Sequence, residues 1–113
     1  MKKKIFCFDL DNTLCTTKGK NYKKSKPNKK AINTLNFLYG KGHIIKIYTA
    51  RFMGRSNDNL KNYKKLYSEV SKQLKIFGIN YHKLFLSKPS ADIYIDDKSY
   101  GYTNSWIKKL KKL

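Results

Sequence analysis

The chain holds only seven acidic residues against twenty-six lysines and arginines, and four of the seven form two tight pairs, Asp9/Asp11 and Asp96/Asp97. Each pair directly follows an apolar run, Ile5-Phe6-Cys7-Phe8 in the first case and Ile93-Tyr94-Ile95 in the second. Carboxylates packed together repel and favour protonation of one another. A hard divalent cation resolves that conflict. Mg²⁺ prefers oxygen ligands, keeps several waters and commonly shares its sphere with a phosphate oxygen. Thr49 and Lys88 stand after two further strand-like runs, Ile44 to Tyr48 and Lys83 to Leu86. A hydroxyl and a lysine point charge are suitable phosphate partners. The residue types therefore point to carboxylates, Mg²⁺ and a phosphate group assembled from separate strands.

That assembly needs a particular scaffold. An unbroken apolar run bounded by polar residues reads as a short strand buried on both faces, as in a parallel sheet. Strands are expected at about Lys4 to Phe8, Ile44 to Tyr48, Lys83 to Leu86 and Ile93 to Ile95. Between the first two, Asn12 to Pro27 is polar and lysine-rich, and reads as a loop or small hairpin. Pro27 suits a first helical turn. Ala31, Ile32, Leu35 and Leu38 then recur at helical spacing, and Gly40 and Gly42 end that helix. A second helix is expected from about Asn59 to Phe77, capped by Asn57 or Asp58. Its apolar stripe is Leu60, Tyr63, Leu66, Tyr67, Val70, Leu74 and Phe77, with the tyrosines packed in the core. Gly78 is its stop. A last helix is expected to carry Trp106, Ile107 and Leu110, capped by Thr103 or Asn104. The order βαβαββα predicts an α/β fold, a three-layer Rossmann-like, mostly parallel sheet with helices on both faces. In such sheets ligands bind at the C-terminal edge of the strands, where all the residues named above would stand.

A length of 113 residues argues for a single domain over 1–113. Apolar residues make up 40% of the chain, so the composition is not a disordered one. No apolar run approaches the roughly 20 residues of a membrane span. The basic start resembles a signal peptide, but Asp9 and Asp11 interrupt its apolar stretch, so a cytoplasmic protein is expected. Cys7 and Cys15 do not make a disulfide framework. The formal net charge of +19 opens a nucleic-acid reading. Against it, Arg51 and Arg55 are the only arginines, whereas recognition of phosphate backbones and base edges usually recruits arginine. The firmer consequence is attraction of small anionic substrates.

Asp9-Leu10-Asp11-Asn12-Thr13 resembles the first motif, DxDxT, of the haloacid dehalogenase-like (HAD) superfamily. Thr49 after an apolar strand is similar to the second motif, Lys88 fits the third, and Asp96-Asp97 the acidic fourth. The four follow the family's order over about Lys4 to Lys98. The resemblance implies a HAD-like fold and a Mg²⁺-dependent phosphomonoester hydrolase. Asp9 would be the nucleophile that forms an aspartyl-phosphate, and Asp11 the acid that protonates the leaving oxygen and then activates water. Mg²⁺ would sit on the Asp9 carboxylate, the Asp11 backbone carbonyl and Asp96, with Asp97 close by. Thr49 and backbone amides, that of Ala50 among them, would hold the phosphoryl group, and Lys88 would neutralise charge between phosphate and Asp9.

Neither gap between the motifs holds a separate cap domain. Members without a cap either accept large substrates or close the site with a neighbouring subunit, so a homo-oligomer is one expectation. Arg51 and Arg55 follow the second strand and could bind a second anionic group of the substrate. Lys18, Lys20, Lys23 and Lys24 lie where the family places a mobile flap. Thr-Ala-Arg-Phe-Met-Gly-Arg after strand two and Ile-Asp-Asp at the end also resemble phosphatases associated with bacterial capsular polysaccharide synthesis. That likeness implies a sugar phosphate or sugar-linked alcohol phosphate as substrate. Two alternatives stay open: a phosphatase of nucleotides or nucleic-acid ends, and a non-catalytic domain that binds Mg²⁺ or nucleic acid.

Overall fold

A computed structural model describes residues 2–51, 60–86, 92–95, 107 and 110 of the chain. Four short strands, β1 (Ile5–Asp9), β4 (Ile44–Tyr48), β5 (Lys83–Phe85) and β6 (Ile93–Ile95), form one sheet in the order β5-β4-β1-β6. Every neighbouring pair is parallel. A two-stranded antiparallel hairpin, β2 (Cys15–Thr16) and β3 (Lys26–Pro27), fills the loop after β1. Two helices, α1 (Lys29–Gly40) and α2 (Leu60–Ile76), supply the crossovers. The expected last helix and the proposed caps at Asn57 and Asp58 fall largely outside the described residues, although Ile107 and Leu110 pack with the core.

Register explains the core. Phe6 pairs with Ile45 and Ile93, and Phe8 with Ile47 and Ile95, so these apolar side chains share one face. Ala31, Ile32, Leu35 and Leu38 of α1 join the same cluster, as do Val70 and Leu74 of α2. The chain steps from β1 to β4 to β5 in one direction. Right-handed crossovers along one direction deliver both helices to one side of the sheet. The sequence pattern led to helices on both faces; among the described residues both long helices pack into one core. Cys7, which points the other way, is nonetheless fully buried.

Asn28, rather than Pro27, starts α1. Its side-chain Oδ1 accepts from the Ala31 N–H at 3.1 Å, a cap that contributes about 1 kcal/mol, while Pro27 pairs with Cys15 in the hairpin. Both helices close as read from the glycines. Gly78 takes φ +74°, the Ile79 N–H reaches back to the Leu74 carbonyl and the Gly78 N–H to that of Lys75, a Schellman motif. Gly42 does the same for α1, with φ +93°. One expectation fails on α2: Tyr63 is 40% exposed instead of packed in the core. A 17-residue helix is about 26 Å long, whereas a five-residue strand such as β4 spans about 17 Å. The first turns of α2 therefore overrun the sheet.

The N-terminal edge is closed by side chains with no periodic signature. His43 Nδ1 accepts from the Lys4 N–H at 3.1 Å and His82 Nδ1 from the Ile45 N–H at 3.0 Å. Asp92 accepts from the Ile5 N–H at 2.8 Å. These groups satisfy strand amides that the short ladder leaves over.

Candidate active site at the strand ends

Asp9 is the last residue of β1, the strand flanked by both β4 and β6, and it is half-buried. Its position at the carboxyl end of a central parallel strand is the one the apolar run implied. The chain then turns sharply. The Leu10 carbonyl accepts from the N–H groups of Thr13, Leu14 and Cys15 at 3.4, 3.0 and 3.3 Å. Asn12 takes a left-handed conformation, φ +64°, which asparagine tolerates better than most residues, and its Oδ1 accepts from the Thr17 N–H at 3.3 Å. The turn buries Leu10 and Leu14 and brings Cys15 and Thr17 back towards Asp11.

Asp11 lies at the centre of a dense network. The Arg51 Nε donates to both of its oxygens, at 3.1 and 2.9 Å, and Nη2 donates to Oδ1 at 2.7 Å. The Thr17 hydroxyl donates to Oδ1 at 2.6 Å and the Thr49 hydroxyl to Oδ2 at 3.3 Å. Thr49 is fully buried. Its N–H is held by the Phe85 carbonyl at 3.0 Å, and its hydroxyl accepts from the Arg51 N–H at 3.0 Å. Ala50, between them, is exposed. The structure thus brings Asp11, Thr49 and Arg51 together across β1 and β4. Lys88, Asp96, Asp97 and Arg55 lie outside the described residues.

Arg51 reaches further than Asp11. It is only 4% exposed. Its Nη1 donates to Gln73 Oε1 of α2 at 2.6 Å, and its guanidinium lies over the Tyr22 ring at 4.6 Å, a cation–π arrangement. Gln73 Nε2 in turn donates to the Tyr22 carbonyl at 2.7 Å. One guanidinium therefore ties β4, the loop after β1, the hairpin and α2 together. Thr17, Tyr22, Ser25 and Gln73 belong to this network and were not singled out by the sequence. They are ordinary polar residues at ordinary spacings, and nothing in their local pattern marks them.

Cys15 is 2% exposed. Burial pushes its thiol above the ordinary value, and the Asp11 charge adds to this, while the Thr17 and Ser25 hydrogen bonds and Arg51 oppose it. Cys7 is fully buried. Because the thiolate is the reactive form, neither thiol is expected to react with dithionitrobenzoate in the native protein at mildly alkaline pH, and both of the chain's two cysteines in denaturant. The raised value also has a stability sign. The contribution is present below the ordinary thiol range and is lost as pH rises through the folded value.

Among the described residues no three His, Cys, Asp or Glu side chains gather as a metal site, and no helix is long and apolar enough to cross a membrane. No family model and no curated protein matches the chain. Solved structures do. A crystal structure of a structural-genomics target from Vibrio cholerae aligns over 96% of this chain and 97% of its own, with a TM-score of 0.68 and 24% identity. The structure of a conserved protein from Bacteroides thetaiotaomicron aligns over 97% of this chain and 88% of its own, with a TM-score of 0.69 and 17% identity. At these identities the likeness speaks to the fold, and with the all-parallel sheet it shows a small α/β chain of Rossmann-like type.

Proposed function

We propose that the chain is a Mg²⁺-dependent phosphomonoester hydrolase with a HAD-like, three-layer arrangement, acting through an aspartyl-phosphate on Asp9. The observation that supports this most is the placement of Asp9 at the carboxyl end of the central strand β1, with Asp11 two residues on and Thr49 hydrogen-bonded to Asp11 from the end of the adjoining strand. A buried strand offers a rigid base for a nucleophile, and Asp9 at its end is half-buried rather than sealed in the core.

The oxygen donors suit Mg²⁺. Asp9 supplies a carboxylate, and the Asp11 backbone carbonyl accepts no hydrogen bond among the described residues. Hard oxygen atoms of this kind are what Mg²⁺ takes; Asp96 and Asp97 would complete the set. When bound, the ion would neutralise charge on the phosphoryl oxygens.

The chain's own residues divide the work. A carboxylate oxygen of Asp9 attacks phosphorus, and the bond to the alcohol oxygen breaks. Asp11 gives that oxygen a proton. Water then attacks the phosphorus of the aspartyl-phosphate, Asp11 takes the water's proton, phosphate departs, and Asp9 is restored. In the described geometry both Asp11 oxygens accept hydrogen bonds, from Arg51, Thr17, Thr49 and the Cys15 thiol, and Arg51 spans the two. Proton transfer by Asp11 therefore requires its contact with Arg51 to open. The hairpin stands where the family resemblance places a flap. A sugar phosphate or sugar-linked alcohol phosphate is the substrate class that the capsule-type resemblance supports.

A phosphate-release screen weighted towards sugar phosphates tests this reading. Turnover is expected with Mg²⁺ and not with excess chelator. No release from sugar phosphates, nucleotides or phosphoproteins in the presence of Mg²⁺ overturns it.

A further inference from the structure

A cleft of about 580 Å³ opens between the hairpin and α2, lined by Lys20, Tyr22 and Lys23 on one side and by Lys72 and Gln73 on the other, with Arg51 at its inner wall. The volume is within the range of small-molecule sites. Its charge is lopsided. Lys20, Lys23, Lys72 and Arg51 line it against a single acid, Glu69. Among the described residues the ion pair is Arg51–Asp11, and none of them places a carboxylate within ion-pair distance of the three lysines, so the cleft carries an excess of positive charge. Val70, Ile76 and the Tyr22 ring add an apolar wall for a carbon skeleton.

Arg51 is the partition between this cleft and Asp11. One edge of its guanidinium, Nε and Nη2, is on the carboxylate, while Nη1 faces the cleft-lining Gln73 at 2.6 Å. Gln73 offers Nη1 a neutral amide oxygen. A carboxylate or phosphate makes a charge-assisted bond to the same nitrogen, roughly twice as strong as a neutral one, and its charge is welcomed by the three lysines. The fork of a guanidinium also suits such an anion in a two-point contact.

We propose that this cleft takes a second anionic group, carried on the alcohol portion of the substrate, and that Arg51 is exchanged from Asp11 to that group. The proposal rests on the phosphatase reading for its reaction. The preferred substrates are then phosphomonoesters whose alcohol bears a carboxylate or another phosphate. Entry of such a substrate frees Asp11 for proton transfer, whereas an ester whose alcohol carries no second anionic group leaves Arg51 on Asp11. Selectivity arises because a ligand shifts an equilibrium only by its differential affinity for the two states.

The chain carries arginine only at positions 51 and 55, so its arginine Nε–H nuclear magnetic resonance signals are two, assignable with Arg55→Lys. Without Mg²⁺, 3-phosphoglycerate is expected to shift the Arg51 signal saturably, and glycerol 3-phosphate, which has the phosphate but lacks the carboxylate, to leave it in place. Glucose 1,6-bisphosphate against glucose 6-phosphate repeats the comparison with phosphate as the second anion and shows which anion is preferred. With Mg²⁺, kcat/KM is expected to favour the better bis-anion over its partner by about tenfold or more, as one hydrogen bond to a charged group allows. In the Lys23→Gln/Lys72→Gln double variant, both the shift and the preference should fall. Equal response to both members of each pair, or an Arg51 signal that no bis-anion moves, overturns the proposal. Phosphate release without preference or shift removes the cleft assignment and leaves the phosphatase reading standing. A saturable Arg51 shift with no phosphate release does the reverse.

Discussion

Arg51→Ala is expected to lower the unfolding free energy by about 3 kcal/mol, the lower end for breaking a buried ion pair. The substitution leaves the Asp11 carboxylate with the hydroxyls of Thr17 and Thr49 and the weak Cys15 thiol donor in a site that is 20% exposed at Asp11 and 3% at Arg51. It also removes the contact with Gln73 and the stacking on Tyr22, and so loosens the hairpin from α2. Arg51→Lys should recover little, because an ammonium cannot reproduce the fork that spans both Asp11 oxygens and Gln73. Urea unfolding measures the loss, and a cycle with Asp11→Asn separates the pair from the packing. If the stray charge is the main cost, Asp11→Asn in the Arg51→Ala background restores part of the stability. A loss below about 1 kcal/mol, typical of surface pairs, would show that Arg51 does not hold the site together.

Asp9→Asn is expected to reduce phosphate release by about 10⁴-fold or more, as loss of a catalytic nucleophile does elsewhere, with a cooperative thermal transition retained. Asparagine keeps the shape of the side chain at the end of β1 and removes the anionic oxygen that would bond to phosphorus. Beryllium fluoride, which mimics an acyl-phosphate on a carboxylate, should bind the parent protein with Mg²⁺ and not the variant. An Asp9→Asn protein that still turns over at near the parent rate would move the nucleophile elsewhere and leave Asp9 as a ligand.

These two residues illustrate different kinds of information. Asp9 was visible in the chain itself. Four apolar residues running into an aspartate describe a buried strand and the group at its end, and both are local properties. The same holds for the helix ends at Gly42 and Gly78, where a left-handed residue is needed, and for the polar stretch that closes as the β2–β3 hairpin. Tyr63 shows the limit of periodicity, which marks the face of a helix but not where the sheet beneath it stops. The side of the sheet on which α1 and α2 lie was likewise hidden, since it follows from strand order and crossover hand rather than from composition.

The strands, the helix stops and the standing of Asp9, Asp11 and Thr49 at strand ends were legible in the chain, because apolar runs and turn residues act over a few positions. That Arg51 lies on Asp11, 40 positions away, with Gln73 and Tyr22 beyond it, is a product of the folded arrangement. A pairing of that kind has no period and no neighbouring residue to announce it. It exists because β1 and β4 are adjacent in the sheet, and because a buried guanidinium must find a carboxylate and acceptors wherever the fold supplies them.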